Sequence, residues 1–260
     1  MAEPGVIRPE GSDEHIEPLF YPANRLELGA PLRWLALGFQ DMRAAPGPSL
    51  AYGSVLVLVG WLLTWLALTD GNTLALFTLV TGLILIGPVL AFGLYSISRQ
   101  LELGLKPRLG FCLRESKTHL RNELLFALVL LVILLVWARA ASMVHVFFPI
   151  GEDLGVVGWL EFLAVGSAVG AIFAGIVFTA AAFSLPMMLD RGTDAITSAL
   201  TSVNAVLRNK GVMLVWAALI FALILLGVMT AYAGLAVVLP LIGHATWHGY
   251  KETIQSPEPN

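Results

Sequence analysis

Little in this chain can do redox or metal chemistry. Cys112 is its only cysteine in 260 residues. One thiol cannot form an intrachain disulfide or assemble a thiolate zinc or iron–sulfur site. Charge is scarce too: Asp, Glu, Lys and Arg make up 13% of the chain, against about 25% in soluble domains. A formal net charge of −3 excludes a broadly basic nucleic-acid binder, because displacing a polyanion's counterions takes clustered cations. Residues 1–30 lack the basic and apolar regions of a cleavable signal peptide and read as a flexible arm rich in proline and acids. A glycine-rich phosphate loop, a nucleophile elbow and an H-E-x-x-H motif are all missing, which argues against an enzyme.

What the chain has is apolar length. Hydrophobic residues make up 57% of it and mean hydropathy is +0.81, too high for a soluble fold. Ser49–Thr69 carries no charge and matches the roughly 20 residues a helix needs to cross hydrocarbon. Further spans are expected at Thr73–Ser98, Glu123–Val144, Val156–Leu189 and, split near Ala231–Gly234, on either side of that break within Val212–Trp247. The fold class is therefore all-α: a polytopic transmembrane bundle of six spans, arranged as three helical hairpins.

Two segments outside the spans read as surface helices. Pro31–Arg43 places Leu32, Leu35, Phe39 and Met42 on one face, with Trp34 in the membrane interface or, alternatively, the whole helix packed on the protein. Ala195–Asn209 does the same with Ile196, Ala199, Val203 and Val206, at an offset of 164 residues that also carries Gly47 to Gly211. Lys and Arg cluster in alternate connections between spans: six lie from Arg99 to Arg121, and fourteen of fifteen fall on one side. The positive-inside rule makes that side cytoplasmic and places both termini there.

The expected organisation is an arm over 1–30, a membrane domain over 31–251 and a short tail over 252–260. Within the membrane domain the hairpin units are 31–98, 99–190 and 191–251, with Pro88, Pro186 and Pro240 inside apolar helices. A proline removes a backbone donor and obstructs the preceding turn, so each is a potential kink or broken-helix site. Gly166, Gly170 and Ala174 recur every fourth residue, the spacing that lets two helix backbones approach, and are expected to form an internal packing face. Arg139 and Glu161 sit at similar depth on consecutive spans, where an ion pair could close the bundle. His244 and His248 share one helix face and could offer two metal ligands, although no third is evident and interfacial packing is the plainer role. No cofactor is expected.

The segments LRWLALGFQDM (Leu32–Met42), SLAYG (Ser49–Gly53), GPVLAFGLYSISRQLELG (Gly87–Gly104), SLPMMLDR (Ser184–Arg191) and GHATWHGYK (Gly243–Lys251) resemble a bacterial family of predicted integral membrane proteins, domain-of-unknown-function family 2189. The resemblance implies a bacterial inner-membrane location and brings no catalytic residues with it. Some members carry the label of cytochrome c oxidase subunit. Here only His244, His248 and His145 lie near spans, while His15 and His119 belong to polar segments. The chain alone cannot hold two haems and a copper, so an accessory role beside a respiratory oxidase survives and the catalytic role does not. The expected function is a non-catalytic scaffold or accessory subunit whose basic Arg99–Arg121 face meets anionic lipid or a membrane partner. The alternative is a small-solute transporter or channel built on the hairpins.

Overall fold

The computed structural model describes residues 19–69, 92–147 and 155–255. Among these the chain is helical, and one isolated antiparallel bridge joins Ala23 to Ile254. α1 (Ala30–Ala44) has a proline in its first turn, where the missing N–H costs nothing, and ends at Ala45. Pro46 and Pro48 then open α2 (Pro46–Thr69). Next come α3 (92–102), α4 (Leu109–Phe147) and α5 (Gly155–Ala181). A short α6 (Ser184–Arg191) leads to α7 (Ala195–Arg208), and α8 (Lys210–Met229) and α9 (Leu235–Thr253) close the fold.

Among the described residues, four stretches are long and apolar enough to cross a membrane: Pro46–Leu66, Arg121–Val144, Gly155–Arg191 and Lys210–Met229. The other two expected spans are not among them. The second, with its proline Pro88, falls mostly on residues outside the described ones, and only its end survives as the start of α3. The sixth corresponds to α9, whose second half carries His244, His248, Lys251 and Glu252. The break between α8 and α9 lies where expected, with Ala231 and Tyr232 at φ of 51° and 67°. Thr230 secures it, donating its hydroxyl to the Gly227 carbonyl and accepting from the Gly234 N–H.

The packed core sits at one end of the molecule, here the polar end, where residues 19–29 meet the end of α9. Trp34, Phe183, Met187, Met188, Trp216, Trp247 and Tyr250 form one buried cluster there. From this block the apolar helices project with little mutual burial; α5 buries none of its residues. That distribution suits a bilayer, since lipid tails solvate Leu and Val as well as a protein core does.

Several expectations are corrected. α1 is amphipathic, but its buried stripe is Ala30, Trp34, Gly38 and Met42, while Leu32 and Phe39 are exposed. Of the two alternatives for this helix, the one that packs it on the protein holds: Trp34 is core, not interface, and stands edge-on to Trp216 at 5.5 Å and Phe183 at 6.3 Å. α7 has its expected bounds and its stripe holds in part: Val206 is buried and Ala199 packs against the core, but Ile196 is exposed and Thr197, Ser198, Thr201 and Ser202 are buried as well. The basic stretch Arg99–Arg121 is not a loop, because helix covers all of it except 103–108.

The arm and the tail are tied down where they are described. Tyr21 N–H donates to Thr201 Oγ1 at 3.0 Å and Leu26 N–H to Asn209 Oδ1 at 2.9 Å. Asn24 N–H bonds the Thr253 carbonyl at 2.8 Å, and Glu252 belongs to α9 rather than to a tail. Burying these backbone groups requires partners, and the facing helix ends supply them.

Candidate functional site

α9 runs past α1 and α2 at backbone contact. A Cβ on Gly38 would lie 2.6 Å from Ala245 N, and one on Gly53 would lie 2.1 Å from the Ala236 oxygen. Only a residue without Cβ fits at either crossing, and the approach brings α9's polar side chains within reach of both helices. Pro240 sits inside α9 on this seam and is buried.

On one face of α9, His244, His248 and Glu252 follow each other at helical spacing, and each finds a different partner. His244 is fully buried, with Nε2 2.9 Å from Ser49 Oγ and Nδ1 2.8 Å from Ser98 Oγ. Ser49 already donates its hydroxyl proton to the Ala45 carbonyl at 2.7 Å. It must therefore accept from Nε2–H, which assigns the neutral imidazole's Nδ1 as acceptor for Ser98. His248 Nε2 meets Asp41 Oδ2 at 2.9 Å. Glu252 accepts from Trp34 Nε1 and from Arg33 Nη2, each at 2.7 Å, and Arg33 also bonds Glu27 at 2.8 Å. Those two carboxylates raise the Arg33 pKa, Glu252 contributing most.

The next face carries Trp247, Tyr250 and Lys251. Trp247 Nε1 donates to Glu102 at 3.1 Å, and Lys251 bridges Glu102 at 3.2 Å and Asp190 at 3.4 Å. Tyr250 donates to Asp190 at 2.8 Å while accepting from Arg191 Nε at 2.9 Å. Arg191 in turn covers the Tyr21 ring at 4.8 Å and donates to the Ile254 carbonyl at 3.3 Å. α9 therefore latches α1, α2, α3 and α6 together at the polar end.

Chemically this arrangement is closed. Both nitrogens of His244 are engaged, and the two histidines turn to separate partners rather than to a shared point. Among the described residues, no group of three or more His, Cys, Asp or Glu side chains gathers at metal-binding distance. Ser49, Ser98, Asp41, Glu102 and Asp190 escaped the sequence reading. The available signal was His244 itself: an imidazole in an apolar helix must find partners, and SLAYG and SISRQ held the nearest serines.

The remaining sequence candidates lie elsewhere. Arg139 and Glu161 are both exposed and form no ion pair with each other. Trp137, Ala141 and Val144 are the residues α4 turns toward Phe162 and Gly166 of α5. Arg139, two positions from Trp137, falls on the opposite side of the helix. Pro186 lies in the first turn of α6 after a break at Ala182–Phe183, so it starts a helix instead of kinking one. Gly166 and Gly170 do not form an internal packing face, because a Cβ on either would meet nothing within 4 Å. With Ala174 they border open apolar grooves between α4 and α5, the larger about 440 Å³.

Helices of this length and composition, joined by a buried polar latch at one end, define a multi-pass integral membrane protein. Residues 76–190 match the model of the family described as predicted integral membrane protein (DUF2189), and over that stretch the chain is similar to it. No curated protein and no solved structure matches the chain.

Proposed function

We propose that this chain is a non-catalytic scaffold or accessory subunit of a membrane complex, with the α4–α5 face receiving a transmembrane helix of a partner protein. The observation that carries this reading is α5: it buries no residue in the chain itself, and its Gly166 and Gly170 leave open space beside an apolar groove. Small residues at every fourth position let a second helix approach closely. The latch around α9 supports a static role, since every ionisable group on it is matched to a neighbour. A transporter would need a polar passage, whereas the grooves between α4 and α5 and between α5 and α8 are almost wholly apolar.

The same reading has the chain crossing the bilayer six times, as three out-and-back pairs. The bridge between Ala23 and Ile254 supports an even number of crossings, because bonded residues share a side. α2 leads away from the polar end, its Trp61 bonding the Ala231 carbonyl at the far turn, and α3 is back beside α9. α7 and α8 also repeat the order of α1 and α2, starting 165 and 164 residues later. The distribution of lysine and arginine favours a cytoplasmic polar end, and the family resemblance favours a bacterial inner membrane with a respiratory oxidase as one class of partner.

A photo-crosslinking residue placed at Gly170 in native membranes tests the proposal. One partner polypeptide, captured from Gly170 and Gly166 but not from the outward Val129, is the expected result. Adducts to lipid alone, or to a second copy of this chain, would overturn it.

A further inference from the structure

A second groove, sharing Ala174 with the α4–α5 face, runs between α5 and α8. It measures about 540 Å³ and is lined by apolar side chains such as Phe178, Met213, Ala217 and Phe221, with Lys210 at its polar end. Adjoining that end is a further cavity of about 320 Å³ whose lining includes Arg25, Arg208, Lys210, Asn209 and Gly211, and no acid. Among the described residues, none of the three cations takes part in an ion pair or hydrogen bond. The nearest acid along the chain, Glu27, is held by Arg33 at 2.8 Å. α8 also begins here without a side-chain cap, because the Asn209 amide is committed to Leu26 N–H and the Asn24 carbonyl.

Three unpaired cations and an uncapped helix start thus converge at the mouth of an oily slot. We propose that this is a site for one anionic phospholipid, its phosphate on Arg25, Arg208 and Lys210 and an acyl chain along α5 and α8. Depth favours a lipid over a free phosphate: Lys210 opens the stretch Lys210–Met229 that is suited to crossing the bilayer, which puts the cations at headgroup level. Charge complementarity favours an anionic over a zwitterionic headgroup, since among the described residues no carboxylate lines the cavity to meet an ammonium.

The test is lipid retention by the full chain, purified in mild detergent, exchanged with phosphatidylglycerol or phosphatidylcholine and read by native mass spectrometry. Wild type is expected to keep one phosphatidylglycerol and to exchange phosphatidylcholine freely. Each of Arg25→Gln, Arg208→Gln and Lys210→Gln should lower phosphatidylglycerol affinity about 5-fold, from the roughly 1 kcal/mol that one cation contributes near a membrane surface. Gly175→Leu gives the second arm, because a Cβ there meets nothing within 4 Å and the longer side chain fills the groove. It should also expel the lipid while leaving the melting temperature unchanged. Equal retention by the triple Gln variant, or equal affinity for phosphatidylcholine, would overturn the proposal. So would displacement of the lipid by millimolar inorganic phosphate, which would mark the site as one for a free anion.

Discussion

Adding a single methyl group at Gly53 and at Gly170 should have opposite consequences. At Gly53 the new Cβ would sit 2.1 Å from the Ala236 oxygen and 2.7 Å from its carbonyl carbon. Both are main-chain atoms inside α9, so no side chain can swing aside. Restoring ordinary contact needs a retreat of about 1 Å or more between two helices that meet along much of their length. Overpacking of this kind costs about 1–3 kcal/mol, and the helix preference of Ala over Gly returns up to about 1 kcal/mol. Because the opposing atoms are backbone, the upper half of that range applies, leaving a net loss of about 2 kcal/mol. At Gly170 nothing lies within 4 Å, so only the favourable helix term acts. Thermal unfolding in mild detergent, followed by tryptophan fluorescence, separates the two. For a chain of this size about 2 kcal/mol lowers the melting temperature by roughly 4–8 °C, whereas Gly170→Ala should melt at or slightly above wild type. If Gly53→Ala melts with wild type, or if Gly170→Ala is the more damaging, the assignment of seam and open face is wrong.

Other expected outcomes follow from single contacts. Trp34→Ala empties the junction of α1, α8 and α9 and leaves Glu252 without one of its donors; a loss of about 3–5 kcal/mol in the same melts is expected. Glu123 is fully buried, and among the described residues neither of its carboxyl oxygens has a hydrogen-bond partner. Glu123→Met should therefore stabilise the chain by about 1–3 kcal/mol, and a drop in melting temperature would show that the carboxyl has a partner after all. Asp194 caps α7 by accepting from Ile196 and Thr197 N–H. Burial alone would raise its pKa, but the hydrogen bonds from Thr197 and Ile196 outweigh that and hold it below 3.8. A depressed carboxylate stabilises the fold above its unfolded pKa and ceases to do so as pH falls through the folded one. Asp194→Ala should accordingly cost about 0.5–2 kcal/mol near neutral pH, and the gap to wild type should close in melts taken as pH falls below the ordinary aspartate range.

Apolar runs and turn chemistry were readable without coordinates, because each depends on residues adjacent in the chain. The breaks at Ala45 and Ala231 and the bounds of α7 fall where Pro, Gly and hydropathy put them. The contacts of α1 were not readable in the same way. Trp34 is core because Trp216 and Glu252 are there to receive it, and neither lies within 180 positions of it. α7 was legible only in part, for a different reason. An apolar stripe points inward when water is outside, but beside lipid the outward face can be the oily one, and the hydroxyls of Thr201 and Ser202 turn in to bond Thr197 and Thr179 carbonyls. The glycines of α5 carry a signal for helix contact that does not say whether the second helix comes from the same chain. His244 was visible as an oddity, while its two serine partners came from helices whose relative placement no local pattern encodes.

The seat of Trp34 has a temporal side. α1 leaves the ribosome early, and the surfaces that cover it, on α8 and α9, follow roughly 200 residues later. At synthesis rates of about 5–20 residues per second that is a delay of about 10–40 s. During that interval the indole and the Gly38 groove have only solvent, lipid or an insertion factor against them. A nascent chain halted before α9 should thus be held by the insertion machinery or degraded, and release should wait for α9 to be made.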